Sequence, residues 1–214
     1  MQKRNLSKVT LIIFGVAICL LVFEIAFAAR ARFRNAEYEQ RISYESLLSN
    51  IRNAGVEAIT SNIEDTHKNL VSLLSMKNFK DPYKKYDEIA YLTESASFLT
   101  DLNKIASPSI VSLMTNDYGY NKAIFGLSKE ISSLCINLSS KQALSFKKIA
   151  LKIKNGSTLD NLDISYLSIM SDELNKIIPV LQKVNFSKDE TELEKQTEEV
   201  KKINKELSSI KYGR

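Results

Sequence analysis

The stretch from Ile124 to Leu138 reads IFGLSKEISSLCINL, and its apolar residues keep strict helical time. Ile124, Leu127, Ile131, Leu134 and Leu138 recur at alternating steps of three and four, the spacing of the a and d positions in a helix seam. A stripe this narrow is stable only when other helices cover it. The predicted fold is therefore all-α, a helical bundle. Six Gly, three Pro, no Trp and 26% charged residues favour long helices over sheets. No segment alternates with period two, and Asn155-Gly156 is the sole Asn-Gly pair.

Downstream, the pair Ser139-Ser140 offers a bend, after which Phe146, Ile149 and Ile153 carry the face on to Asn155-Gly156. Glycine there suits a left-handed C-terminal cap. Asp160 or Asn161 starts the next helix, with Leu167, Met170, Leu174, Ile177/Ile178, Leu181 and Val184 as its buried side and Pro179 expected to kink it. Ser187-Lys188-Asp189-Glu190 has the form of a capping box and opens a last helix. Leu193, Thr197, Val200, Ile203, Leu207 and Ile210 form its seam, with Glu and Lys on both flanks. That seam either packs on the bundle or pairs with another chain, so Leu193, Val200, Ile203, Leu207 and Ile210 are the candidate interaction residues.

Upstream, Asp81-Pro82 and Ser107-Pro108 are helix-start signals, since Asp or Ser can accept free amide hydrogens and Pro at the first helical position loses no bond. The first introduces Tyr86, Ile89, Leu92, Ala96, Leu99, Leu102 and Ile105. The second introduces a short piece with Ile110, Val111, Leu113 and Met114, ending at the turn-like Asn116-Asp117-Tyr118-Gly119. Earlier still, Leu47/Leu48, Ile51, Ala54, Ala58/Ile59, Ile63, Leu70 and Leu73/Leu74 mark a stripe on a helix reaching about Met76.

At the N-terminus the run Val9 to Ala29, VTLIIFGVAICLLVFEIAFAA, holds only Thr10 and Glu24 as clearly polar residues. As a helix it measures roughly 30 Å, the thickness of a bilayer's hydrocarbon core. The basic start and the Ala26-Phe27-Ala28 triplet imitate a cleavable signal, but a signal's apolar region is only about 7–15 residues long. A permanent single transmembrane helix is the preferred reading. Glu24, near the end of the run, is read as snorkelling toward the interface or pairing with Arg30 or Arg32. Lys3, Arg4 and Lys8 flank one side and Arg30, Arg32 and Arg34 the other, so charge alone does not orient the span. The short tail favours a cytoplasmic N-terminus with the helical domain outside. The expected order is a basic tail over 1–8, the span over 9–29, the bundle over 30–186 and the amphipathic C-terminal helix over 187–214.

The formal charge is +5, yet residues 1–41 hold seven of the 30 basic side chains and three of the 25 acidic ones. The remainder is nearly neutral, which argues against a nucleic-acid partner. Two cysteines, Cys19 and Cys135, lie too far apart in character to staple the domain, and Cys135 reads as core. His67 is the only histidine and lacks a companion ligand. The pairs Asp87-Glu88, Asp172-Glu173 and Glu198-Glu199 read as solvated outer faces, and Tyr83, Tyr86 and Tyr91 beside Lys84 and Lys85 as helix-start packing. No catalytic residue, cofactor or metal is expected.

The loop Asn155-Gly156-Ser157-Thr158-Leu159 and the helix Tyr166-Leu167-Ser168-Ile169-Met170-Ser171-Asp172-Glu173-Leu174-Asn175, behind a short basic tail and one apolar span, resemble the N-terminal helical region of the YpeB family of spore-germination proteins. That family continues into PepSY-type domains, which this sequence lacks. The resemblance implies a noncatalytic partner of a cortex-lytic enzyme outside the inner membrane. The function expected is thus that of a membrane-anchored helical interaction or scaffold protein at a bacterial cell envelope. Its partners would be the lipid bilayer and another envelope protein or a second copy. A sensory, ligand-binding bundle is the alternative, and a small membrane-bound enzyme a weaker one.

Overall fold

A computed structural model describes the backbone over residues 2–75, 82–106 and 121–213, and the side chains over the same ranges from residue 30 onward, except 31, 82–85 and 100–106. Every regular element among the described residues is helical: α1 (Gln2–Ser75), α2 (Pro82–Ala106), α3 (Lys122–Ile136), a π-helical segment (Asn137–Gln142), α4 (Ala143–Lys154), α5 (Asn161–Leu181) and α6 (Glu190–Ser209). The chain divides into two units, the first ending at Leu47 and the second running Leu48–Arg214. The all-α expectation is met.

Within the second unit each helix starts and stops for a local reason. α2 begins on Pro82, as the Asp81-Pro82 signal predicts. Asn121 caps α3 through its side chain, which accepts the Ile124 N–H at 3.0 Å. At the end of α4, the Gly156 N–H donates to the Ile153 carbonyl at 2.9 Å and the Ser157 N–H to the Lys152 carbonyl at 3.1 Å. Gly156 takes φ +82°, the left-handed turn that closes such a motif without a Cβ penalty. Asp160 then caps α5 in a reciprocal box with Asp163.

α3, the π segment and α4 form one rod with a change of phase inside it. Leu127, Ile131, Leu134 and Leu138 are buried, then Gln142, Phe146, Ile149 and Ile153. The steps across the middle are three successive fours, more than a 3.6-residue period tolerates without drift. The Ala143 N–H reaches back five residues to the Leu138 carbonyl, which inserts the extra residue and turns α4 to face the core. This is where the sequence offered a bend at Ser139-Ser140.

From α3 onward consecutive rods run antiparallel. Lys152 meets Asp160 while Gln142 meets Tyr166, and Asp163 meets Tyr212 while Asn185 meets Gln196. α6 must therefore run parallel to α3. Gly126 lies beside Thr197 and Ser133 beside Asn204, seven residues further along both helices. The core they enclose includes Ile59, Ile63, Leu70, Ile89, Leu92, Leu134, Phe146, Leu167, Leu174, Phe186 and Leu207.

Two expectations need correcting. On α1 the buried line is Leu48, Arg52, Val56, Ile59, Ile63, Thr66, Leu70 and Leu73, whereas Leu47 is 54% and Ile51 42% exposed. The reading that began on Leu47 and Ile51 followed the larger apolar side chains. The true line admits Arg52, whose guanidinium lies 5.9 Å from the Phe186 ring centre. The cap of α6 is Asp189, which accepts the Glu192 N–H at 3.0 Å, and not Ser187. A carboxylate satisfies the amide and complements the helix dipole together. The second unit begins at Leu48 and contains α6, whose seam packs on the bundle, one of the two placements expected for it. Described residues from 30 to 47 bury none of their side chains, whereas α6 buries Leu193, Val200, Ile203 and Leu207.

No helix among the described residues is long and apolar enough to cross a membrane. The run Val9–Ala29 sits on the part of α1 whose side chains lie outside the described residues, as do Lys3, Arg4, Lys8, Cys19 and Glu24. The short piece expected from Ile110 to Met114 and the turn at Asn116 to Gly119 also lie outside them.

Candidate functional site

Two features of the second unit stand out chemically, a buried polar knot and an apolar furrow. The knot ties α4, α5 and the C-terminal turn together. Asp163 is fully buried at the start of α5. One of its oxygens accepts the Lys152 ammonium at 2.7 Å and the Asp160 N–H at 2.9 Å. The other accepts the Tyr212 hydroxyl at 2.6 Å. Three donors, shared between both oxygens of a buried carboxylate, make the knot a tie between α4, α5 and the C-terminal turn.

The charges around it respond as that geometry requires. Hydrogen bonds from Lys152 hold the Asp160 carboxyl down at about 2, and Asp160 followed by Asp163 raises the Lys152 ammonium well above its usual range. Tyr212 is pushed up to about 12, first by burial and then by the Asp163 carboxylate its hydroxyl donates to. Burial likewise raises Tyr166. The Tyr166 hydroxyl donates to Gln142 Oε1 at 2.6 Å, and Gln142 Nε2 donates on to the Leu207 carbonyl at 3.4 Å. The π segment thus aims a glutamine inward to join α5 with α6. Tyr166 packs edge-on against both Phe146 and Tyr212, with ring centres 6.0 and 5.2 Å away.

The furrow lies between α2 and the rod formed by the π segment and α4. It encloses about 370 Å³, and Tyr86 stands at one end. Small side chains form its floor: Ala90, Thr93 and Ser97 from α2, Ser139, Ala143 and Ala150 from the other wall. Leu144 and Leu151 form its rim, seven residues apart, 59% and 46% exposed. Lys147 lies between them in sequence, and the Lys154 ammonium sits 5.6 Å from the Tyr86 ring centre. Two leucines left in water beside a trough of small residues make a surface shaped for an apolar side-chain ridge. Nothing in the sequence marked it, because the small residues of the floor carry no periodic apolar signal.

A second, polar groove of about 500 Å³ runs along α1 beside the turn joining α5 to α6, with Asn53, Glu57, Glu64, Lys183 and Lys188 among its walls. Beside it, Asn53 clamps the turn. Its Oδ1 accepts the Phe186 N–H at 2.8 Å and its Nδ2 donates to Asn185 at 3.3 Å.

The candidate seam of α6 is turned inward. Leu193, Val200, Ile203 and Leu207 are buried in this chain's own core, and Ile210 packs against it half-buried. Thr197 bonds back to the Leu193 carbonyl at 2.7 Å, which lets a polar residue sit on the line. Arg30, Arg32 and Arg34 are exposed in the first unit. His67 is half-buried. Cys135 is buried outright, and burial pushes its thiol up to about 12. Glu173 departs from the solvated face expected of Asp172-Glu173, being buried and ion-paired with Lys176 three residues on. Among the described residues no three His, Cys, Asp or Glu side chains gather as a metal-binding group.

Comparison with protein-family models, with curated proteins and with solved structures returns no match for this chain.

Proposed function

We propose that the protein is a noncatalytic helical scaffold held at a bacterial membrane by the apolar run Val9–Ala29, and that it docks a second envelope protein. The observation that carries this reading is the furrow between α2 and α4, whose rim leaves Leu144 and Leu151 in water. An amphipathic helix laid along it would bury both leucines and fill the small-residue floor. The apolar run has the length to span a bilayer and stay there. The resemblance to the N-terminal region of the YpeB spore-germination family points to a cortex-lytic enzyme as the kind of partner.

Photocrosslinking from position 144 in native membranes tests the docking claim, with exposed Leu162 on α5 as the control position. A discrete adduct from 144 alone is expected. Leu144→Asp with Leu151→Asp should abolish partner recovery while stability changes by less than about 0.5 kcal/mol per exposed site. Equal crosslinking from both positions, or recovery unaffected by the double substitution, overturns the reading. A small molecule that raises the melting temperature without any protein partner would instead mark a sensory bundle.

A further inference from the structure

We propose that Arg30, Arg32 and Arg34 form a cationic collar that binds the headgroups of anionic phospholipids, with Phe33 set among them as an interfacial anchor. This rests on the reading of Val9–Ala29 as a membrane span.

The placement of the arginines carries the argument. All three are exposed, and among the described residues none has an ion-pair partner. Phe33 is 73% exposed, the largest apolar exposure in the chain's described part. On a helix of 3.6 residues per turn, Arg30 and Arg34 lie about 40° apart and Arg32 roughly 160–200° round from them. Charges so distributed ring the helix and do not line one face. A ring suits a helix passing through an interface, whereas a helix lying flat on a surface would gather its cations on one side.

The axial distances agree. The three arginines begin one residue after Ala29 and extend over about 6 Å. The headgroup layer on each side of the hydrocarbon is roughly 5–8 Å deep. Glu37 and Glu39, also exposed, come about 12 to 15 Å beyond Ala29, past the anionic layer that would repel them. Positive charge thus sits at the depth of lipid phosphate and negative charge outside it. Aromatic rings favour the same interfacial depth.

The test uses the full chain, extracted and presented with equimolar phosphatidylglycerol and phosphatidylcholine, the retained lipids being counted by native mass spectrometry. Retention should favour phosphatidylglycerol by at least about fivefold, the factor expected from one arginine near a charged surface. Half-molar salt should erode the preference. Replacing all three by glutamine should abolish it, while Arg30→Lys, Arg32→Lys and Arg34→Lys together should keep it. Equal retention of the two lipids, or a preference that survives the glutamine substitutions, overturns the collar. Carbonate washing of vesicles separates the two claims. Protein that washes free defeats the span, and the collar with it; protein that stays but shows no lipid preference defeats the collar alone.

Discussion

Asp163 is the residue on which the C-terminal end of the bundle hangs. Its carboxylate is buried with partners on three sides, so Asp163→Ala leaves the Tyr212 hydroxyl and the Asp160 N–H without their acceptor and Lys152 with Asp160 alone. A loss of about 3 kcal/mol is expected in urea unfolding. Tyr212→Phe removes one donor to a charged acceptor and should cost about 1.5 kcal/mol. The pH dependence has a definite sign at both ends. Asp160 is held at about 2 against an ordinary 3.8, so its contribution is present above pH 3.8 and disappears as pH falls toward 2. Tyr212 is raised from 10.0 to about 12, so its contribution is present below pH 10 and is lost between 10 and 12. Melting temperatures across those two windows check both, and Tyr212→Phe should flatten the alkaline one. Of this knot, only the capping role of Asp160 was legible in the sequence. Lys152 and Tyr212 are 60 residues apart, and only the return of α6 along α3 brings them to one carboxylate.

Among elements, the rod from Lys122 to Lys154 shows how spacing encodes a defect. Eight residues separate Leu138 from Phe146, with Gln142 midway, and a straight helix would carry Phe146 off the core. Deleting Ser140 leaves Leu138 and Phe146 seven positions apart, two turns less about 20°, so a plain α-helix keeps Phe146, Ile149 and Ile153 on the core face. A cooperative melt by circular dichroism is the expected result; loss of the cooperative transition would show that the π segment does not merely absorb one extra residue. A methyl group at Gly126 would sit at an ordinary 3.7 Å from Thr197 Cγ2, so Gly126→Ala should gain helix propensity and stabilise by about 0.5–1 kcal/mol. Thermal unfolding decides it. The stripe of α3 was readable because its residues are apolar and regular. The line on α1 was misread at Leu47 and Ile51 because Arg52, buried over Phe186, breaks the apolar pattern a reader follows.

For the molecule as a whole, Leu134 is the plainest test of where the core lies. It is 1% exposed in the rod that faces α6. Leu134→Asp buries an unpaired charge and should unfold the second unit outright, read as loss of the cooperative transition. The helical class, the order of elements and most of the core were legible from periodicity and caps. The parallel run of α3 with α6 was not, since it follows from how many rods intervene and which turns join them. Burial of Cys135 in that same rod carries a practical corollary. A thiol shielded from solvent and raised to about 12 reacts with alkylating reagents only when the helices part. With Cys19 replaced by serine, the rate of labelling at Cys135 becomes an internal clock for bundle opening under native conditions, where heat and denaturant are poor tools.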